Sequence, residues 1–272
     1  MNRTSKIIIA VLSAVILAQW VFIFKTRQAP PGVRKPIQVR VAPQVKKIPV
    51  PAVHKGNVAI VLDDWGYNTS NLPIIEEISQ PLTLSILPNL AYSQKVAQTL
   101  HKKGFEIILH QPMEPFQKTG LEKNTILTTM DGQTIHAILE DSITNLPHAK
   151  GINNHMGSRA TEDNRTMQII MTELKKKNLY FLDSYVTSRS VAESEAARSG
   201  VAFIKRDIFL DNQPDPEYIR RQIEKLLKTA ERRGFAVGIG HDRKSTLEVL
   251  RQVLPEAAKN GYRFVFLSEL VK

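Results

Sequence analysis

From Asn57 onward the chain alternates short apolar runs with longer segments whose apolar positions recur every three to four residues. The runs predict strands at Val58–Leu62, Leu82–Leu87, Phe105–Leu109, Gly151–Asn153, Leu179–Leu182, Val201–Ile204, Phe235–Ile239 and Arg263–Phe266. Helices are predicted between them, near Leu72–Ser79, Ser93–Lys103, Gln133–Asn145, Asp163–Lys177, Val191–Ser199, Pro216–Arg233 and Ser245–Asn260. Short strands that are apolar on both faces belong in a parallel sheet covered by helices. A repeated β-then-α order joins such strands by right-handed crossovers. Seven or eight units in this length predict an α/β distorted barrel of parallel strands, with an open doubly wound sheet as the alternative.

The N-terminus follows a different rule. Arg3 and Lys6 precede the run from Ile7 to Phe24, interrupted only by the polar Ser13 and Gln19. At 1.5 Å per residue this is near the lower limit for a bilayer-spanning helix, and a basic start followed by an apolar core is an export pattern. Residues 1–24 are therefore expected to be a signal-anchor or a signal peptide, with membrane contact through residues 7–24. Residues 25–56 carry Pro30, Pro31, Pro36, Pro43, Pro49 and Pro51 among basic residues and cannot build a core. They are expected to act as a tether, leaving residues 57–272 as the folded domain in the cell envelope, on the periplasmic side of an inner membrane.

Charge changes the picture only by its location. The net charge of +11 suggests nucleic acid at first sight. Residues 1–56 hold ten Lys or Arg and no acidic residue, leaving 27 basic against 26 acidic residues in the domain. The domain is nearly neutral and has no basic stripe, so no nucleic-acid partner is expected. The absence of Cys excludes disulfides, thiolate metal ligands and a Cys nucleophile.

Chemistry in a parallel α/β fold collects at the C-terminal ends of the strands. The residues found there are Asp63-Asp64, His110 with Glu114, Asn154-His155, Asp183-Ser184, Arg206-Asp207 with Asp211 beyond, and His241-Asp242. Any one of these could be a helix cap, an ion-pair partner or a satisfied core residue. Their recurrence on one rim is harder to explain that way. His54, His101, His136 and His148 fall in the tether or in helical and turn patterns and read as surface residues. Two imidazoles and a carboxylate can hold zinc or a similar divalent metal with a position left for water. Further carboxylates and histidines can then move protons.

The strings Ile60-Val61-Leu62-Asp63-Asp64-Trp65-Gly66, His110-Gln111-Pro112-Met113-Glu114-Pro115, Gly151-Ile152-Asn153-Asn154-His155-Met156-Gly157-Ser158, Phe181-Leu182-Asp183-Ser184 and Gly238-Ile239-Gly240-His241 resemble the divergent polysaccharide deacetylase family. The resemblance spans about residue 57 to 272. It implies a distorted (β/α) barrel with a metal-dependent site that removes N-acetyl or O-acetyl groups from an envelope polysaccharide or peptidoglycan-type glycan. It implies Asp63 as general base, Asp64 and His110 as metal ligands, and His241 as the acid that protonates the leaving group. Where the family pattern has a second histidine this chain has Glu114, and His155 on the neighbouring strand is expected to supply the missing imidazole. Glu114, Asn154, Asp183, Arg206 and Asp207 are expected near the substrate or behind the ligands. The usual Arg-x-Pro-Tyr motif is not recognisable, although Asp183-Ser184-Tyr185 sits near its place. Alternatives are a catalytically reduced protein of the same fold that binds glycan or an envelope partner, and a phosphoesterase.

Overall fold

The computed structural model describes residues 16, 19–25, 54–117 and 120–272. Residues 1–48 and 49–272 are separate units. In the first, residues 19–25 are helical, and most of the apolar run read as a membrane segment lies outside the described residues. Among the described residues no helix is long and apolar enough to cross a membrane.

The second unit consists of β1 (Gly56–Trp65), α1 (Leu72–Ile75), β2 (Thr83–Ile86), α2 (Ser93–Lys102), β3 (Glu106–Met113), α3 (Gly132–Asn145), β4 (Ala149–Met156), α4 (Asn164–Lys177), β5 (Tyr180–Asp183), α5 (Ala192–Ser199), β6 (Phe203–Lys205), β7 (Ile208–Phe209), α6 (Pro216–Arg233), β8 (Phe235–His241), α7 (Lys244–Lys259) and β9 (Tyr262–Phe264). All ladders are parallel, in the order β6-β5-β4-β3-β2-β1-β8-β7, with β9 added on β1. The sheet curls into a parallel half-barrel with helices outside, not a flat doubly wound sheet.

The two edge strands, β6 and β7, are joined by Arg206 and Asp207 alone. The Arg206 N–H donates to the Asp183 carbonyl at the end of β5, and the Asp207 N–H donates to the Val237 carbonyl of β8. One short stretch of chain thus serves both edges.

Side chains alternate across a strand, so the core divides in two. Val58, Ile60 and Leu62 of β1 pack with Leu84, Ile107, Leu109, Ile152 and Phe181 against the helices. Ala59 and Val61 pack with Ile108, Leu182, Val237 and Ile239 on the inner face. Carrying that parity to the strand ends puts Asp63, His110, Asn153, His155 and His241 on the inner face. Gly151, on the same side of β4, lies under Tyr180, whose ring would be 2.3 Å from an added Cβ.

Several strands run further than their apolar pattern indicated, β1, β3 and β4 the most. β1 includes Asp63-Asp64-Trp65, β3 includes His110–Met113, and β4 includes Asn154-His155-Met156. These residues were expected at or just past the strand ends. β3 and β4 are strand there because they keep pairing past the end of β2, from His110↔Asn153 to Met113↔Met156, and β1 because it pairs with β8 as far as Asp63↔His241 and with β2 again at Trp65↔Ile86. Their polar side chains hide that extension from a hydrophobicity pattern. The edge pair also departs from expectation: β6 is shorter than Val201–Ile204, and the two-residue β7 was not foreseen.

Candidate metal centre

Strand alternation should send Asp63 and Asp64 to opposite faces. It does not, because β1 loses register with β2 between Leu62 and Trp65, and Asp64 takes a left-handed backbone with φ 67°. Such a conformation costs a non-glycine residue roughly 1–2 kcal/mol. It is a strain found where a side chain must be aimed. Here it turns the Asp64 carboxylate into the barrel mouth beside Asp63. Met156, the last residue of β4, and Tyr185, two residues past β5, are also left-handed, at φ 55° and 49°.

Asp64 Oδ1 lies 3.2 Å from His110 Nε2 and 3.1 Å from His155 Nδ1. The two ring nitrogens are 3.2 Å apart, and the rings meet edge to face. Donor atoms on a tetrahedral cation with bonds of about 2.0–2.2 Å stand about 3.3–3.5 Å from one another. The three atoms are therefore spaced as one face of such a tetrahedron, and these residues fit a divalent metal. His110 and Asp63 are buried, whereas His155 and Asp64 reach solvent. The cluster is closed below and open above.

The surroundings set the charges. Burial opposes ionisation of Asp64, but hydrogen bonds and charges from His110 and His155 hold its carboxyl well below the usual carboxylate range. Asp63 goes the other way. Burial raises its pKa despite the opposing pull of His110, His241 and the Asn153 amide. Its Oδ2 is 3.7 Å from His110 Nε2. Burial also disfavours the charged form of His110, but Asp63 and Asp64 outweigh it and raise its pKa.

His241 ends β8, the strand next to β1, in register with Asp63. Its Nδ1 is 2.7 Å from Asp211 Oδ1, and its backbone N–H donates to Asp211 Oδ2 at 2.9 Å. Thr246 Oγ1 donates to the same oxygen, and Arg243 donates to the Asp211 carbonyl. Burial works against an imidazolium here, yet Asp211 raises the His241 pKa. The Nδ1–H is thereby directed at Asp211, leaving Nε2 for the open side. The ring also stacks on Phe209.

The other expected residues divide. Glu114 does not join the cluster. It is buried, and its Oε2 accepts from Thr128 N and Oγ1, both at 2.7 Å, so it organises the loop after β3. Asn154 ties β4 to β5, accepting from Ser184 N and donating to the Met156 carbonyl. Asp183 accepts from Tyr185 N and Ser190 Oγ and is raised by burial. Arg206 donates to the carbonyls of Ser184 and Tyr185 and covers the Phe209 ring. Asp207 is not at the mouth; it accepts from Arg233 and from Val237 N near the start of β8. His101 and His148 stack together on the surface, and His136 pairs with Glu173, as their patterns suggested.

Three participants carried no assigned role at the level of sequence. Asn153 was only part of a motif, although strand parity with His155 points to it. Asp211 follows a strand too short to show periodicity. Asp242 receives a hydrogen bond from Asn71 at 2.8 Å, and burial together with the nearby Asp64 charge pushes its carboxyl up to about 6.

The divergent polysaccharide deacetylase family model matches residues 60–271. The chain belongs to that family. It is 37% identical over 199 residues to the uncharacterised protein YibQ of Escherichia coli K12, a match covering 73% of this chain and 62% of that protein. The chain thus spans somewhat under two thirds of that relative. An uncharacterised protein of Agrobacterium tumefaciens C58 has the same fold, with a TM-score of 0.77 at 24% identity over 80% of this chain and 90% of the other. The catalytic domain of peptidoglycan N-acetylglucosamine deacetylase from Eubacterium rectale superposes with a TM-score of 0.52 at 15% identity, covering 78% and 88% of the two chains.

Proposed function

We propose that this protein is a metal-dependent hydrolase of the cell envelope that removes N-acetyl or O-acetyl groups from a polysaccharide of the peptidoglycan type. In this reading it is held at the membrane through residues 7–24, or released on the periplasmic side if that segment is cleaved. The observation that carries the reading is the convergence of Asp64, His110 and His155 on one point, with Asp63 beside it and His241, held by Asp211, in register with Asp63 on the next strand.

Asp64, His110 and His155 would hold a divalent cation, zinc by the chemistry of its donors, which supplies Lewis acidity toward the acyl carbonyl and toward water. Asp63, whose raised pKa brings it nearer neutrality, accepts the proton of the attacking water. His241, charged through Asp211, gives a proton from Nε2 to the departing amine or alcohol. The acyl C–N or C–O bond breaks, a C–O bond to the water oxygen forms, and acetate and the free amine or hydroxyl leave. Adjacent carboxylates pushed apart in pKa divide the work, with Asp64 staying charged as ligand and Asp63 cycling its proton.

A second reading is a catalytically reduced member that binds glycan or a partner protein. It is favoured by the missing Arg-x-Pro-Tyr motif and by the engagement of the Tyr185 N–H with Asp183 Oδ1 at 2.7 Å. Acetate release from envelope glycans by the zinc-loaded full chain decides between them. Release that falls at least a hundredfold in Asp63→Asn supports the hydrolase. No release by the wild type, or equal release by both, overturns it.

A further inference from the structure

We infer that Asn153 is a positioning residue that holds the proton acceptor Asp63 and the ligand His110 in one frame, with its amide oriented by Ser184. The inference rests on the hydrolase reading for its catalytic meaning, but the hydrogen-bond assignment stands on geometry.

Asn153 is fully buried at the inner face of β4. Its Oδ1 is 2.8 Å from His110 Nδ1 and 2.5 Å from Ser85 Oγ. Its Nδ2 is 2.9 Å from Asp63 Oδ1 and 3.2 Å from Ser184 Oγ. A side-chain amide has two N–H donors and two carbonyl lone pairs, and here all four are used. By shape alone the amide could be turned over, with its oxygen toward a protonated Asp63 and its nitrogen toward an unprotonated His110 Nδ1. Ser184 breaks that symmetry. Its hydroxyl already donates to the Asn154 carbonyl at 3.0 Å, so toward Asn153 it can only accept. The NH2 group must therefore face Ser184 and Asp63, and the oxygen must face Ser85 and His110.

Two consequences follow from one amide. The neutral His110 ring carries its proton on Nδ1, and its Nε2 lone pair then points into the cluster with Asp64 and His155. Asp63 receives a donor on Oδ1, leaving Oδ2 toward the cluster. An outer hydrogen bond that sets the tautomer of a ligating histidine is worth tenfold to a hundredfold in metal affinity.

Asn153→Asp and Asn153→Ala separate the two functions in the full chain. Asp keeps an acceptor for His110 but replaces the donor to Asp63 with a second acceptor; Ala removes both. Zinc affinity in Asn153→Asp should stay within about threefold of wild type while acetate release falls about a hundredfold. In Asn153→Ala zinc affinity should fall about tenfold or more. In the metal-free protein above pH 9, imidazole nitrogen shifts should show His110 protonated at Nδ1 in the wild type and Asn153→Asp, and that preference lost in Asn153→Ala and Ser184→Ala. Unchanged zinc affinity and tautomer in Asn153→Ala, or equal zinc loss in both Asn153 variants, overturns the inference. A wild type that releases no acetate sinks the hydrolase reading, while the imidazole shifts still decide the role of Asn153.

Discussion

His110 Nε2 and His155 Nδ1 lie 3.2 Å apart although 45 positions separate them in the chain. They meet because β3 and β4 are hydrogen-bonded neighbours that extend together past the end of β2, and both side chains face inward. The imidazole pair is thus a product of strand register, not of a local motif.

Removal of either ring should therefore cost the metal site as much as the other. His110→Ala and His155→Ala are each expected to lower zinc affinity by about a hundredfold or more, since loss of an outer-shell partner alone costs up to that much. His241→Ala should retain wild-type zinc content. Metal analysis of the purified full chain after zinc loading and dialysis reads all three.

Asp211 touches no part of the Asp64–His110–His155 cluster yet fixes the His241 ring through Nδ1. In Asp211→Asn the charge that raises the His241 pKa is gone. Turnover is expected to fall about a hundredfold, at the low end of what a positioned acid contributes. The basic limb of the pH–rate profile should move to lower pH, with zinc content unchanged.

Asp242 offers a stability test that needs no metal. Its pKa is pushed up to about 6 in the folded chain, against an ordinary value of 3.8. The folded state therefore binds this proton more tightly than the unfolded one. The group adds stability below about pH 3.8, and that contribution is lost as pH rises through 6. Metal-free Asp242→Asn should accordingly have a higher Tm than the wild type at pH 8 and a matching Tm near pH 4. A wild-type-like Tm at both pH values would show that the charge is not confined.

Gly151 tests the packing beneath the site. A methyl group there meets the Tyr180 ring, whose hydroxyl donates to the buried Glu106 at 3.1 Å. Overpacking of this kind costs about 1–3 kcal/mol. Gly151→Ala should lower the urea midpoint by that amount of stability, whether or not zinc is present.

Much of this was legible in the sequence because period-two alternation is a strong signal. The inward parity of Ala59, Val61 and Asp63, or of Ile108 and His110, can be read without coordinates. Asp64 has the wrong parity, and only the slipped register and left-handed φ of β1 bring it to the cluster. Glu114 stands where a family ligand would be and is buried elsewhere, which no spacing rule reveals. Asp211 was placed beyond the rim residues Arg206-Asp207 but given no role, because two residues of strand cannot display a period. Asp207 appeared to belong to the rim because Arg206 and Asp207 follow an apolar run, but the chain there turns to the opposite edge of the sheet.

That turn has a consequence for how the molecule meets its neighbours. An open sheet exposes rows of unpaired backbone groups that can template pairing with another chain. Here the terminal strands are three and two residues long and continuous with each other. The Phe203 N–H is already taken by the Lys272 carbonyl. Along β6 and β7 little backbone is left to recruit a foreign strand. Strand addition between β6 and β7 is closed unless the short Lys205–Ile208 connection first comes apart.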